Sequence, residues 1–263
     1  MLDVQNFTLQ FNDHHGSDEA VRGISFTMAP GEILGLVGES GSGKTVTALA
    51  LMGLLRHRDV RITGQMRFQG QDLLTLSPER MRAIQGKRIA MVFQEPKSSL
   101  NPLMRVGQQV EEALRVHTSL SRAERRRCAL EAMESVELPE PRRIYRQYPH
   151  ELSGGMRQRA MLAAAILLEP DLLICDEPTT ALDASTREQI LTLLQKINRE
   201  RGMGILFISH DLQIIRRLCH RAIVMQDGAI VEQGEVETMF DTPRSAYTKQ
   251  LLDSIPGRGK QRE

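Results

Sequence analysis

The sequence is short of cysteine, of net charge and of long apolar runs, and each shortage removes a class of protein. Among its 263 residues only Cys128, Cys175 and Cys219 are cysteines, far apart and with no CxxC pair. An odd, scattered set supports neither a disulfide framework nor a zinc site and fits reduced thiols. The net charge is +1 with 25% charged residues, which indicates neither a nucleic-acid partner nor a strongly acidic one. No stretch approaches the roughly 18 apolar residues that mark a membrane-spanning helix. The best run, Ala160 to Leu168, follows Arg157 and Arg159. The amino terminus, Met1-Leu2-Asp3-Val4, carries an early acid and no apolar run, unlike a signal peptide. Any membrane role is therefore expected to come through a partner.

What is present is the pattern of a globular α/β chain. Hydrophobic residues make up 41%, and a chain of this length should bury roughly three quarters of its unfolded surface. Leu2, Val4, Leu9 and Phe11 alternate loosely with polar residues, as in a strand. A polar turn over Asp13 to Glu19 then precedes a second strand, Val21 to Met28. Ile33 to Val37 and Leu172 to Cys175 are short, wholly apolar runs, as are most residues of Gly204 to Ile208. Such runs read as buried strands of a parallel sheet. Lys44 to Arg56 and Ala184 to Arg201 read as helices, and Arg88 to Phe93 as another strand. Strands alternating with helices imply an α/β fold with a mainly parallel core sheet behind an amino-terminal β region. Residues 96–150 are charged, helix-rich and interrupted by prolines, and are expected to form an inserted helical lobe. Residues 1–255 are expected to form the domain, and residues 256–263 a polar tail.

Gly38-Glu39-Ser40-Gly41-Ser42-Gly43-Lys44-Thr45 matches the phosphate-loop pattern G-x-x-x-x-G-K-[ST] between a predicted strand and a predicted helix. The glycines permit a tight turn whose amides point inward at a positive helix terminus, where phosphate oxygens bind. Lys44 adds a point charge for the β and γ phosphates, and Thr45 a hydroxyl for Mg²⁺. The loop alone says only that a nucleoside triphosphate is bound. Asp176 and Glu177 end an apolar strand, where ligands bind in such sheets. Asp176 is suited to Mg²⁺, and Glu177 to orienting and deprotonating a water. Ser153-Gly154-Gly155 stands at a third helix start, which is either a second anion site reached in trans or a plain helix cap.

In that order these residues resemble the ATP-binding subunits of ABC transporters. Leu152 to Met156 resembles the ABC signature, with Met156 where Gln is usual. Phe11 resembles the aromatic residue that stacks on adenine, Gln94 the Q-loop glutamine that senses Mg²⁺ and the membrane subunit. Thr180 to Asp183 resembles the D-loop, and His210 the switch histidine that contacts γ-phosphate. The resemblance runs from about Leu2 to Ile255. It implies an ATPase coupled to transport, with ATP and Mg²⁺ as cofactors and no nucleic acid. Its implied partners are a second, distinct ATPase subunit, two permeases, and a periplasmic or lipid-anchored solute-binding protein reached through them. The implied location is peripheral, on the cytoplasmic face of the inner membrane.

Phe93 to Pro102, Tyr148 to Arg159 and Pro243 to Thr248 resemble the dipeptide, oligopeptide and nickel importer ATPases. Many of those continue into a cysteine-bearing extension; the sequence here stops at Glu263, as in the shorter nickel- or metallophore-associated members. The rival class is a non-transport ABC ATPase of repair, translation or protein release, which the single ATPase unit and the missing heptad run disfavour. Leu100, Pro102, Leu103, Met104 and Val106 either form a groove for a permease helix or pack the lobe's own core. His14-His15 reads as a solvated turn, Arg125 to Arg127 as a helix face, and Cys175 as inert.

Overall fold

The computed structural model describes residues 1–13, 16–93, 99–180 and 182–255. His14, His15, Gln94 and the tail 256–263 lie outside the described residues. The chain divides into two compact units, Met1–Met81 with Gly204–Glu263, and Arg82–Met203.

The first unit opens with an antiparallel sheet. Strands β1 (Leu2–Asp13) and β2 (Gly16–Met28) pair along most of their length, and β4 (Val60–Phe68) and β5 (Gln71–Asp72) extend the sheet in the order β2-β1-β4-β5. Leu2 and Val4 are buried, and so are Phe7 and Leu9. The buried set therefore switches from even to odd positions, which a regular strand cannot do. Asn6 resolves the conflict: it takes a left-handed backbone (φ 49°) and the register shifts around it on both neighbouring strands. Gly64 lies so close that a Cβ there would meet the Asn6 carbonyl oxygen at 2.4 Å. The turn expected over Asp13 to Glu19 is shorter, because Asn12 pairs with Ser17 and Gln10 with Glu19. Backbone ladder bonds extend the hairpin there without help from apolar side chains.

The same unit holds β3 (Ile33–Val37), β8 (Gly204–Ser209), β9 (Arg221–Gln226) and β10 (Ala229–Glu235). β3 is parallel to both β8 and β9, and β10 closes antiparallel on β9. β3 and β8 are buried at every position, as continuous apolar runs require. Helix α1 (Lys44–Leu51) follows β3. It is shorter than the helix expected to reach Arg56: Gly53 has φ 64°, and Met81 lies 2.9 Å from where a Cβ would sit. The chain crosses from one unit to the other within α2 (Pro78–Ile84).

The second unit contains the parallel pair β6 (Ile89–Val92) and β7 (Leu172–Asp176), whose entries are tied by Arg88 Nε on Asp171 Oδ2 at 2.9 Å. Between them run α3 (Val106–Val110), α4 (Glu112–His117), α5 (Arg122–Ser135), α6 (Pro141–Ile144) and α7 (Gly154–Ile166). Helix α8 (Ala184–Arg201) follows β7. The apolar stretch from Ala160 belongs to α7, which packs against β6, α3 and α5. Arg159, 8% exposed, donates to the Val136 carbonyl at 2.6 Å and to Gln189 Oε1 at 3.1 Å. It thus ties the C-terminal end of α5 and the second turn of α8 to α7 through satisfied hydrogen bonds. Leu100 and Val106 pack this unit's core, whereas Leu103 is 85% exposed. Among the described residues no helix is long and apolar enough to cross a membrane.

Candidate functional site

In the first unit the phosphate loop occupies the turn from β3 into α1. Gly38, Gly41 and Gly43 have φ of 155°, 83° and 97°, conformations that L-residues with a Cβ rarely adopt. Two of the three are also hemmed in. A Cβ at Gly38 would lie 2.2 Å from the Met225 carbonyl oxygen, and one at Gly43 would lie 2.6 Å from that of Ala20. Gly43 is the N-cap of α1 and offers no capping side chain. The helix terminus therefore keeps its positive end for an outside acceptor. Thr47 Oγ1 donates to the Gly43 carbonyl at 2.8 Å and fixes the first turn.

Lys44 is 5% exposed. Its ammonium donates to the Gly38 carbonyl at 2.8 Å, the Glu39 carbonyl at 2.7 Å and Ser42 Oγ at 3.2 Å. A buried cation held by loop oxygens is satisfied in place and needs no rotamer search to meet a phosphate. Glu39, Ser40 and Thr45 are exposed at the mouth, and Ser42 is buried. Tyr247, on α11 (Ala246–Asp253), accepts the Glu39 N–H at 3.1 Å. Burial pushes its hydroxyl above the ordinary tyrosine range. Sequence reading missed this brace.

Val37 and Ser209 are register partners on parallel strands, so the loop and His210 leave the sheet at the same edge. Ser209 Oγ accepts the Asp211 N–H at 3.0 Å, and Asp211 caps α9 (Leu212–Leu218). His210 is exposed between them. Phe11 is half-buried and pairs with Asp18, two residues along β2 from the Ala20 that touches Gly43.

In the second unit Asp176, 2% exposed, ends β7. Burial pushes the neighbouring Cys175 thiol well above its ordinary range, so it carries no thiolate. Glu177 takes a left-handed backbone (φ 45°), and its Oε2 accepts the Thr180 hydroxyl at 2.9 Å. A strained non-glycine residue at a strand end is a common mark of functional geometry. Ser153 caps α7 by accepting the Met156 N–H at 3.2 Å. Asp183 caps α8, with Oδ1 on the Thr186 N–H at 2.9 Å and Oδ2 on its hydroxyl at 2.7 Å. The Thr186 amide and then its hydroxyl hold the Asp183 carboxyl below the usual range. The Thr186 methyl faces Gly155, so both helix starts meet at one side chain. Gln94 lies outside the described residues.

A complete phosphate loop on a buried parallel strand defines a nucleotide-binding protein of the P-loop class. Comparison with known proteins narrows the class. The model of the ABC transporter family matches residues 21–180. A Brucella abortus protein named for peptide import and ATP binding is 46% identical over 97% of this chain and 77% of its own length. A Sinorhizobium fredii protein, y4tR, named for ATP binding in a peptide ABC transporter, is 44% identical over 100% of this chain and 79% of its own. The dimeric ATP-binding cassette MJ0796, solved with ADP and Pi, superposes with TM-score 0.80 at 29% identity, covering 90% of this chain and 99% of that one. The chain belongs to the ABC transporter family, as an ATP-binding subunit. Its general activity is ATP hydrolysis coupled to transport.

Proposed function

We propose that the chain powers a peptide importer. The observation that carries this is the 44–46% identity, over nearly all of the chain, to proteins named for peptide import. Those names favour peptide cargo over nickel or a metallophore. Within the first unit, Gly38 to Thr45 would hold the phosphates, Lys44 exchanging loop oxygens for β- and γ-phosphate oxygens. Phe11 would stack on adenine and His210 would contact the γ-phosphate.

Within the second unit, Glu177 would take a proton from water, its carboxylate aimed by Thr180. Mg²⁺, when bound, would supply positive charge to the phosphates; the Thr45 hydroxyl of the first unit, the Asp176 carboxylate of the second and the Gln94 carbonyl are each, taken singly, the hard oxygen donor it prefers. Ser153 to Gly155 and Asp183 would face the nucleotide of a second, distinct ATPase subunit. Two permeases and a solute-binding protein reached through them would complete a complex on the cytoplasmic face of the inner membrane. The test is uptake by the reconstituted complex. Peptide accumulation that needs ATP and fails with Glu177→Gln is expected; uptake of Ni²⁺ or a metallophore but not of peptides overturns the cargo.

A further inference from the structure

Within the first unit the β9–β10 hairpin stands against the phosphate loop. The Met225 carbonyl confines Gly38, and Gly228 in the hairpin turn lies against the Ala20 carbonyl that confines Gly43. The Gly228 carbonyl also accepts the Arg22 N–H at 2.8 Å, which ties the turn to β2. The outgoing strand is not regular. Ile230 pairs with Met225 but Glu232 pairs with Val224, so Val231 is an extra residue in the ladder. Successive residues of a strand face opposite sides, and the bulge therefore turns Glu232 to the face opposite Ile230.

There the Glu232 carboxylate accepts two consecutive backbone N–H groups, Arg244 on Oε1 and Ser245 on Oε2, both at 3.0 Å. These residues lead into α11, whose N-cap Ser245 makes no side-chain cap bond of its own. A carboxylate at that place also meets the positive end of the helix. Glu232 thus fixes the start of α11 from the neighbouring strand. The helix start in turn sets the position of one hydroxyl. Tyr247 is the second residue of α11 and 8% exposed. Its hydroxyl accepts the Glu39 N–H at 3.1 Å, while the Glu39 carbonyl accepts the Lys44 ammonium at 2.7 Å. Glu39 is therefore gripped through both of its backbone polar groups. A small shift of α11 stretches the first of these bonds beyond useful length.

We propose that Glu232 is a positioning residue for ATP binding, acting on Lys44 through the start of α11, Tyr247 and Glu39. This rests on the reading of Gly38 to Thr45 as the loop that holds the phosphates. Glu232 orders the loop from a distance, so its loss is felt in nucleotide affinity. The hydrolytic step depends on other groups, Asp176 and Glu177 of the second unit, and is spared.

The experiment measures binding of a fluorescent ATP analogue by the purified full chain, and ATP turnover by the assembled transporter. The variants are Glu232→Ala, Tyr247→Phe and the two combined. Each single change is expected to weaken binding about three- to tenfold, with turnover at saturating ATP within about twofold of wild type. The double variant should bind as weakly as Tyr247→Phe alone, because the carboxylate acts through the hydroxyl. Glu232→Gln keeps one acceptor oxygen and should lose less; it replaces Glu232→Ala in the cycle if the alanine variant does not fold. Met239→Ala, at a buried position of α10 (Val236–Asp241), loosens the packing of the same unit. It should lower the urea midpoint and keep nucleotide binding. Unchanged binding in Glu232→Ala, losses that multiply in the double variant, or an equal loss in Met239→Ala overturns the proposal. Lys44→Ala distinguishes the two failures. Intact binding there defeats the phosphate-loop reading itself, whereas a strong loss there beside wild-type affinity in Glu232→Ala defeats only the role of Glu232.

Discussion

A Cβ on Gly155 would lie 2.5 Å from Thr186 Cγ2, so the starts of α7 and α8 are fitted to each other. Thr186 cannot rotate its methyl away without losing the hydroxyl bond to Asp183. Gly155→Ala should therefore destabilise the fold by about 1–3 kcal/mol through overpacking, despite alanine's better helix propensity. In a Thr186→Ser background the methyl is gone and the hydroxyl remains. There the same Gly155→Ala change should be neutral or stabilising. Urea unfolding of the four proteins in the cycle checks this; an equal loss in both backgrounds would refute the contact.

Asp183 gives a second prediction, on pH. Its folded carboxyl sits below the ordinary value of 3.8. A depressed acid contributes its full stabilisation above the unfolded value and loses it as pH falls through the folded one. Asp183→Asn should be the less stable protein at pH 7, and its deficit should shrink in acid below the ordinary carboxyl value. Denaturant midpoints across that range measure the gap; a deficit that widens in acid would contradict the assignment.

A third prediction separates chemistry from binding. Glu177→Gln should lower steady-state ATP turnover in the assembled transporter by about 10²-fold or more, with ATP affinity kept. Thr180→Val removes only the hydroxyl that aims the carboxylate. Its turnover should fall by less, again with affinity unchanged. Phosphate release paired with binding of a fluorescent ATP analogue reads both.

Tyr247→Phe should act on the other half of the chemistry. Removing the acceptor of the Glu39 N–H costs about 1 kcal/mol, felt in the phosphate loop. ATP affinity should weaken several-fold while turnover at saturating ATP stays within about twofold of wild type. Unchanged affinity would remove Tyr247 from the site.

Much of this was legible in the sequence, because its signals are local. The run Ile33 to Val37 followed by Gly38 to Thr45 specifies strand, loop and helix within a few turns of chain. The signals that failed are non-local. Alternation over Leu2, Val4, Leu9 and Phe11 breaks at Asn6, since the parity of the buried set changes at a bulge that two other strands accommodate. Tyr247 reaches Glu39 across 208 positions with one hydroxyl, and no spacing rule points to it.

Met225 and Tyr247 also set an order of events during synthesis. The phosphate loop leaves the ribosome early, but the carbonyl that confines Gly38 and the hydroxyl that holds Glu39 are translated long afterwards. For most of its time as a nascent chain the polypeptide carries the loop's glycines and lysine without the groups that shape them. Nucleotide capture should therefore switch on late, when α11 folds back, instead of growing gradually as the strands emerge.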